Sequence, residues 1–219
     1  MVQQRLIAVP KQALHIAVFC KPPVPGQVKT RLIPAYGAQG AAHIYAQLVE
    51  RTLSTVRAAR TALDASASLW VAGSVTHPSI KDWADRNALP IYAQCAGDLG
   101  DKMLHTLTTM ACDHERVLLI GTDCPALTIR DLQAAAVALT ATCHWVFTPT
   151  EDGGYVLVGS NTPAPEAFAN ITWSTPQVLV QTRDALRANA LAWVETNTLW
   201  DVDEAPDVER ARAAMLIDI

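Results

Sequence analysis

Short apolar runs alternate with longer amphipathic ones along the whole chain. Positions 13–19 read as a strand that stops at the proline-rich loop Lys21-Pro22-Pro23-Val24-Pro25-Gly26. The stretch 37–60 is alanine-rich and helical in period, with Ile44, Leu48, Thr52 and Val56 falling on one face. Further strands are expected at 69–72, 91–93, 117–120, 145–148, 155–158 and 191–194. Helices are expected at 78–86, starting near Ser79, then at 98–112, 129–139 and 206–217. Thr128 is a suitable N-cap for the third of these. Another helix opens at Thr175-Pro176, with threonine as cap and proline in the first turn. The unbroken apolar run 117–120 suits a central parallel strand buried on both faces. Strands alternating with helices give an α/β fold: three α/β/α layers around a mostly parallel central sheet. One domain is expected across 1–219, preceded by a leader at 1–13. In such sheets ligands bind beyond the carboxyl ends of the strands. That directs attention to the residues after Phe19, after Ile120, and around Asp152 and Asp203.

Composition narrows the reading. The chain has 219 residues, half of them hydrophobic, 17% charged, and a net charge of −4. That excludes global disorder and argues against nucleic-acid binding of the electrostatic kind. No window approaches the ~20 apolar residues of a membrane span. The apolar stretch Leu6-Ile7-Ala8-Val9 is too short for a signal peptide and ends at Pro10-Lys11. A cytoplasmic protein is expected. The five cysteines form no Cys-x-x-Cys pair, so a disulfide framework or zinc site is not expected. Cys124 reads as a packing or turn residue rather than a nucleophile, and the six histidines show no ligand spacing.

Four segments carry candidate chemistry. Lys21, Lys29 and Arg31 place three cations in the loop after the first strand of an acidic protein, which suggests an anion site. Gly26 is that loop's only glycine, so the segment is not a Walker-type phosphate loop. Asp123, just past a buried strand, suits a hard divalent cation such as Mg²⁺, or else caps its turn. Glu151-Asp152-Gly153-Gly154 offers carboxylates for a sugar hydroxyl, a metal or base catalysis beside glycines that allow close backbone approach; an ordinary Asp-Gly turn is the alternative. Asp201 and Asp203 alternate in an extended segment and are expected to point to opposite faces, one into the site and one into solvent. Asp207 is expected to cap or begin the last helix. Gly97 and Gly100 would let the backbone read a nucleobase, and Trp173 would stack on a sugar ring or be buried.

The order and spacing of these motifs resemble one family. The series is Phe-x-Lys-x-Pro-x-Pro-Gly-x-Val-Lys-Thr-Arg-Leu, Gly-Asp-Leu-Gly, Gly-x-Asp-Cys-Pro, Glu-Asp-Gly-Gly-Tyr, Trp-x-Thr-Pro and Asp-Val-Asp, from about Ile16 to Val208. It resembles the GT-A-like transferases known as radical-SAM/selenodomain-associated transferases, or arsenosugar-biosynthesis-type glycosyltransferases, within the nucleotide-diphospho-sugar transferase superfamily. The resemblance implies a GT-A fold. It implies that Lys21, Lys29 and Arg31 hold nucleotide phosphates and that Asp123 and Asp203 bind Mg²⁺ or Mn²⁺. Gly97 and Gly100 would lie near the base or ribose. The ending Asp-Glu-Ala-Pro-Asp here departs from the family's Asp-Thr-Pro-Glu-Asp. The implied activity is metal-dependent glycosyl transfer from a nucleoside-diphosphate sugar to a small-molecule acceptor oriented or deprotonated by Asp152 or Glu151. The alternatives are a nucleotidyltransferase releasing pyrophosphate and a non-catalytic nucleotide-binding partner subunit.

Overall fold

The first apolar run forms strand β1, Gln12–Cys20, in which Leu14, Ile16, Val18 and Cys20 pack on one side of the sheet and Ala17 on the other. The structure is a computed structural model and describes residues 12–218. Of the expected leader, positions 1–11 lie outside the described residues, whereas Gln12 and Ala13 already belong to β1. A 3-10 turn at Thr30–Leu32 leads into α1, Ile33–Ala62, which is interrupted at Gly37, where φ is 68°. Ile44, Leu48, Thr52 and Val56 are all buried, as the helical period requires. Then follow β2 (Ser66–Val71), α2 (Pro78–Asn87), β3 (Ile91–Ala93), α3 (Leu99–Ala111), β4 (His114–Ile120) and α4 (Ile129–Ala138). The chain closes with β5 (Trp145–Pro149), β6 (Tyr155–Ser160), α5 (Val178–Ala188), β7 (Trp193–Glu195) and α6 (Ala205–Ala213).

The strands form one sheet in the order β3-β2-β1-β4-β6-β5-β7. β6 runs antiparallel to both of its neighbours, and the other pairings are parallel. β4 is central, and Val117, Leu118, Leu119 and Ile120 are buried on alternating faces. Helices α1, α2 and α4 cover one face and α3 and α5 the other. A third apolar cluster joins the start of α1 to Val202, Val208 and Ala211 of the last segment. Each fully buried Leu, Ile or Val contributes roughly 1.5–3 kcal/mol relative to exposure.

Element ends differ from expectation where local capping decides. α2 starts beside Ser79, as expected, and His77 is its cap, its Nδ1 accepting the Ser79 N–H at 3.2 Å. α5 starts at Val178, later than Thr175-Pro176, because those residues form a turn in which Thr175 O accepts the Val178 N–H. α6 ends at Ala213, four residues short of the expected end at position 217. Among the described residues no helix is long and apolar enough to cross a membrane.

Candidate active site

A cleft of about 1160 Å³ lies at the carboxyl ends of β1 and β4. The reversal of β6 matters here. Because β6 is antiparallel to β4, its first residue, Tyr155, lies near the end of β4, and the loop of residues 150–154 is delivered to the same edge.

The basic loop enters this cleft through an unusual backbone. Lys29 has φ 46° and ψ 46°, the left-handed region that side chains with a Cβ visit at a cost of roughly 1–2 kcal/mol. Its ammonium lies 2.9 Å from Asp123 Oδ1 and 3.0 Å from Asp203 Oδ1, and the side chain is only 6% exposed. Burial works against the charge on Lys29, but the two carboxylates outweigh it and hold its pKa above the usual lysine value. Arg31 Nη1 donates to Asp203 Oδ2 at 3.1 Å while remaining largely exposed. Lys21 lines the same cleft, and its backbone N–H donates to the Tyr45 hydroxyl at 2.8 Å. Thr122, beside Asp123, donates to that hydroxyl at 3.5 Å. Tyr45 on α1 therefore ties the ends of β1 and β4 together.

The segment carrying Asp203 is fastened along its length. Leu199 pairs with the end of β5, Val202 N–H donates to Asp123 O at 2.9 Å, and the Val202 side chain is fully buried. Asp201 and Asp203 both line the cleft. This corrects the expectation of opposite faces: in an extended segment residues two apart share a side, and the intervening Val202 takes the core side. Asp201 is half-buried, and its pKa rises to about 6 through desolvation first and then the charges of Asp152 and Asp203. Asp207 Oδ2 accepts the N–H groups of Asp203 and Glu204, capping α6 as expected.

Other candidates take different places. Asp152 lines the cleft, and its Oδ1 accepts from Thr150 Oγ1 at 2.6 Å and from Gly154 N–H at 3.0 Å, so it shapes its own turn. Glu151 also lines the cleft, exposed and paired at 2.8 and 3.0 Å with Arg210, whose hydrogen bonds hold its carboxyl below the usual range. That engagement suits an anchor for α6 better than a proton acceptor. Gly154 and Trp173 line the cleft, but Gly97, Gly100 and Gly153 do not. A Cβ on Gly97 would meet Asp101 Oδ2 at 2.3 Å, on Gly100 the Trp173 ring at 2.7 Å, and on Gly153 the Pro176 carbonyl at 2.2 Å. At each of these three positions a group of the protein itself takes the space a side chain would need. Cys124 is buried and its thiol pKa rises to about 12, which leaves it a packing residue. Tyr45 and Gln94 also line the cleft and stand in no distinctive motif, and Lys102 lines it two residues beyond the Gly-Asp-Leu-Gly stretch.

Asp123 and Asp203 converge, as the expectation of a divalent metal requires, and carboxylate oxygens are the donors that Mg²⁺ or Mn²⁺ prefers. The position between them is nevertheless taken by the Lys29 ammonium. Among the described residues no group of three or more His, Cys, Asp or Glu side chains is arranged to hold a metal ion. The pair as it stands does not fit a chelated divalent cation.

A family model described as "uncharacterized protein conserved in bacteria (DUF2064)" matches residues 55–175. No curated protein matches the sequence. Among solved structures, one from Desulfovibrio desulfuricans G20, provisionally assigned as a nucleotide-diphospho-sugar transferase, superposes with a TM-score of 0.78 at 28% identity over 88% of this chain and 83% of that one. A cytidylyltransferase from Leptospira borgpetersenii serovar Hardjo-bovis gives 0.62 at 8% identity, covering 93% and 87%. Glucosyl-3-phosphoglycerate synthase from Mycobacterium tuberculosis, solved with Mn²⁺, UDP and glucosyl-3-phosphoglycerate, gives 0.50 at 11% identity, covering 94% and 77%. The last two likenesses are of fold alone. The fold is that of the nucleotide-diphospho-sugar transferases, GT-A-like, with a mostly parallel central sheet between helical layers.

Proposed function

The chain belongs to the DUF2064 family of proteins conserved in bacteria, and from that premise we propose that it is a transferase acting on a nucleotide-activated substrate, with a nucleoside-diphosphate sugar as donor. One observation carries this reading. Cations from the loop after β1 and carboxylates from the ends of β4 and of the 199–203 segment meet in a single cleft at the ligand edge of the sheet.

In this reading the donor's diphosphate lies against Lys21, Arg31 and Lys102, which line the cleft. Each charge-assisted contact to a phosphate oxygen contributes roughly 1.5–3 kcal/mol. An ammonium has three N–H donors; two of those of Lys29 face carboxylates, which leaves one for the ligand. Arg31 bridges the ligand to Asp203 and so fixes the phosphate relative to the carboxylate wall. The acceptor hydroxyl is met by Asp152 and Asp201, which line the same cleft. Trp173 offers the sugar ring an apolar surface. A divalent cation is not assigned a place between Asp123 and Asp203, and no step is routed through one. The likeness to the Desulfovibrio structure supports the nucleotide-diphospho-sugar class.

The test is calorimetric titration with UDP-, GDP- and CDP-sugars and with nucleoside triphosphates, followed by product detection by mass spectrometry. Saturable binding of one nucleotide sugar with release of its nucleoside diphosphate is the expected result. Tight triphosphate binding with pyrophosphate release would replace glycosyl transfer with nucleotidyl transfer. Binding without turnover, across donors and acceptors, would leave a non-catalytic nucleotide-binding subunit.

A further inference from the structure

Two carboxylates that face each other across a cleft repel unless a cation separates them. Between Asp123 and Asp203 that cation is supplied by the chain itself, at 2.9 and 3.0 Å. Three features make the Lys29 ammonium a fitted part rather than a passing contact. Its side chain is almost wholly withdrawn from solvent at 6% exposure, although both partners are 40–48% exposed. Its backbone is held at φ 46°, a strained conformation that persists only where the surroundings enforce it. The remaining oxygen of Asp203 is taken by Arg31, so both oxygens of that carboxylate already face cations of the chain. A divalent ion coordinated by the pair would need both oxygens at roughly 2.0–2.1 Å for Mg²⁺, and it cannot share that space with an ammonium of the same sign.

We infer that Lys29 is a built-in replacement for a divalent metal between Asp123 and Asp203, so that the pair is held ready for substrate without chelating Mg²⁺ or Mn²⁺. The inference rests on the transferase reading only for the identity of the substrate. Removing the ammonium leaves Asp123 and the Lys29-facing oxygen of Asp203 without their shared cation, around one vacated point, and a vacated point of that kind attracts a divalent ion.

The experiment uses Mn²⁺ alone, titrated into the full chain, with free Mn²⁺ followed by electron paramagnetic resonance. Wild-type protein is expected to show no saturable site up to about 1 mM, the weak end of protein divalent sites. Lys29→Met keeps an unbranched apolar stem and removes the charge; it is expected to gain one site per chain, at least ~10-fold tighter than any wild-type binding. Adding Asp203→Asn is expected to abolish the gain. Saturable micromolar binding by wild type overturns the inference, and so does a folded Lys29→Met protein that gains nothing. Should Lys29→Met not fold in metal-free buffer, it is refolded with and without Mn²⁺: recovery by the ion supports the inference, and no recovery overturns it. No nucleotide enters the measurement, so its outcome is separate from that of the turnover assays.

Discussion

The carboxylate of Asp207 accepts the backbone N–H of Asp203 at 3.1 Å. One side chain thereby caps α6 and fixes the backbone of a residue that faces Lys29. Asp207→Ala is expected to cost about 1 kcal/mol of stability, the usual value of a lost cap, and to weaken nucleotide binding as well. Asp207→Asn, which keeps an acceptor oxygen, is expected to retain most of both. Thermal melts and calorimetry on the two variants check this; unchanged nucleotide affinity in Asp207→Ala would show that Asp203 is placed by its other contacts.

Lys21 and Arg31 line the cleft from the loop after β1. Replacing either with alanine is expected to weaken binding of the nucleoside diphosphate roughly ten- to hundredfold, the loss of one charge-assisted contact. Lys81→Ala, on α2 and away from the cleft, is expected to bind as wild type does. Calorimetric titration compares the three.

Gly153 combines φ 88° with a backbone carbonyl, that of Pro176, 2.2 Å from where a Cβ would stand. Gly26 has φ 81° but open space around it. Gly26→Ala is expected to cost about 1 kcal/mol, the conformational penalty alone. Gly153→Ala is expected to cost at least ~2 kcal/mol, because the loops must also move apart. Denaturant melts rank the two, and equal losses would mean that the contact with Pro176 relaxes freely.

At the opposite end of the sheet, His15 is buried between Ser66 and Ser68, with both ring nitrogens 2.7 Å from a hydroxyl. Burial first, and the neighbouring His114 second, lower its pKa from 6.5 to about 3. The folded chain therefore keeps the ring neutral where the unfolded chain would protonate it. That contribution to stability is complete above pH 6.5 and is lost progressively as the pH falls toward 3. His15→Gln is expected to be less stable than wild type at neutral pH and to show a shallower loss between pH 6.5 and 4. Urea melts across that range check the slope; parallel curves would place the acid sensitivity elsewhere.

Much of the scaffold was legible in the apolar pattern because period decides burial. The face of α1 through Ile44, Leu48, Thr52 and Val56, and the double burial of β4, needed no tertiary information. The start of α5 and the cap of α2 were not legible, because a turn at Thr175 and a histidine acceptor at His77 are choices among several competent residues. In the cleft, residue type identified Asp123, Asp203, Lys29 and Arg31 as chemistry-bearing. Their mutual arrangement was not readable, since Lys29 and Asp203 lie 174 positions apart and meet only through the sheet. The misplacement of Asp201 was an error of period: positions two apart share a side. The glycines at 97, 100 and 153 looked like ligand contacts, because the sequence signal of a glycine is the same whether a substrate or a neighbouring loop approaches it.

The sheet ends on two very short strands, β3 at Ile91–Ala93 and β7 at Trp193–Glu195. Margins this brief give an incoming strand very little main chain to pair with. Self-association by sheet extension is thereby blunted at both borders.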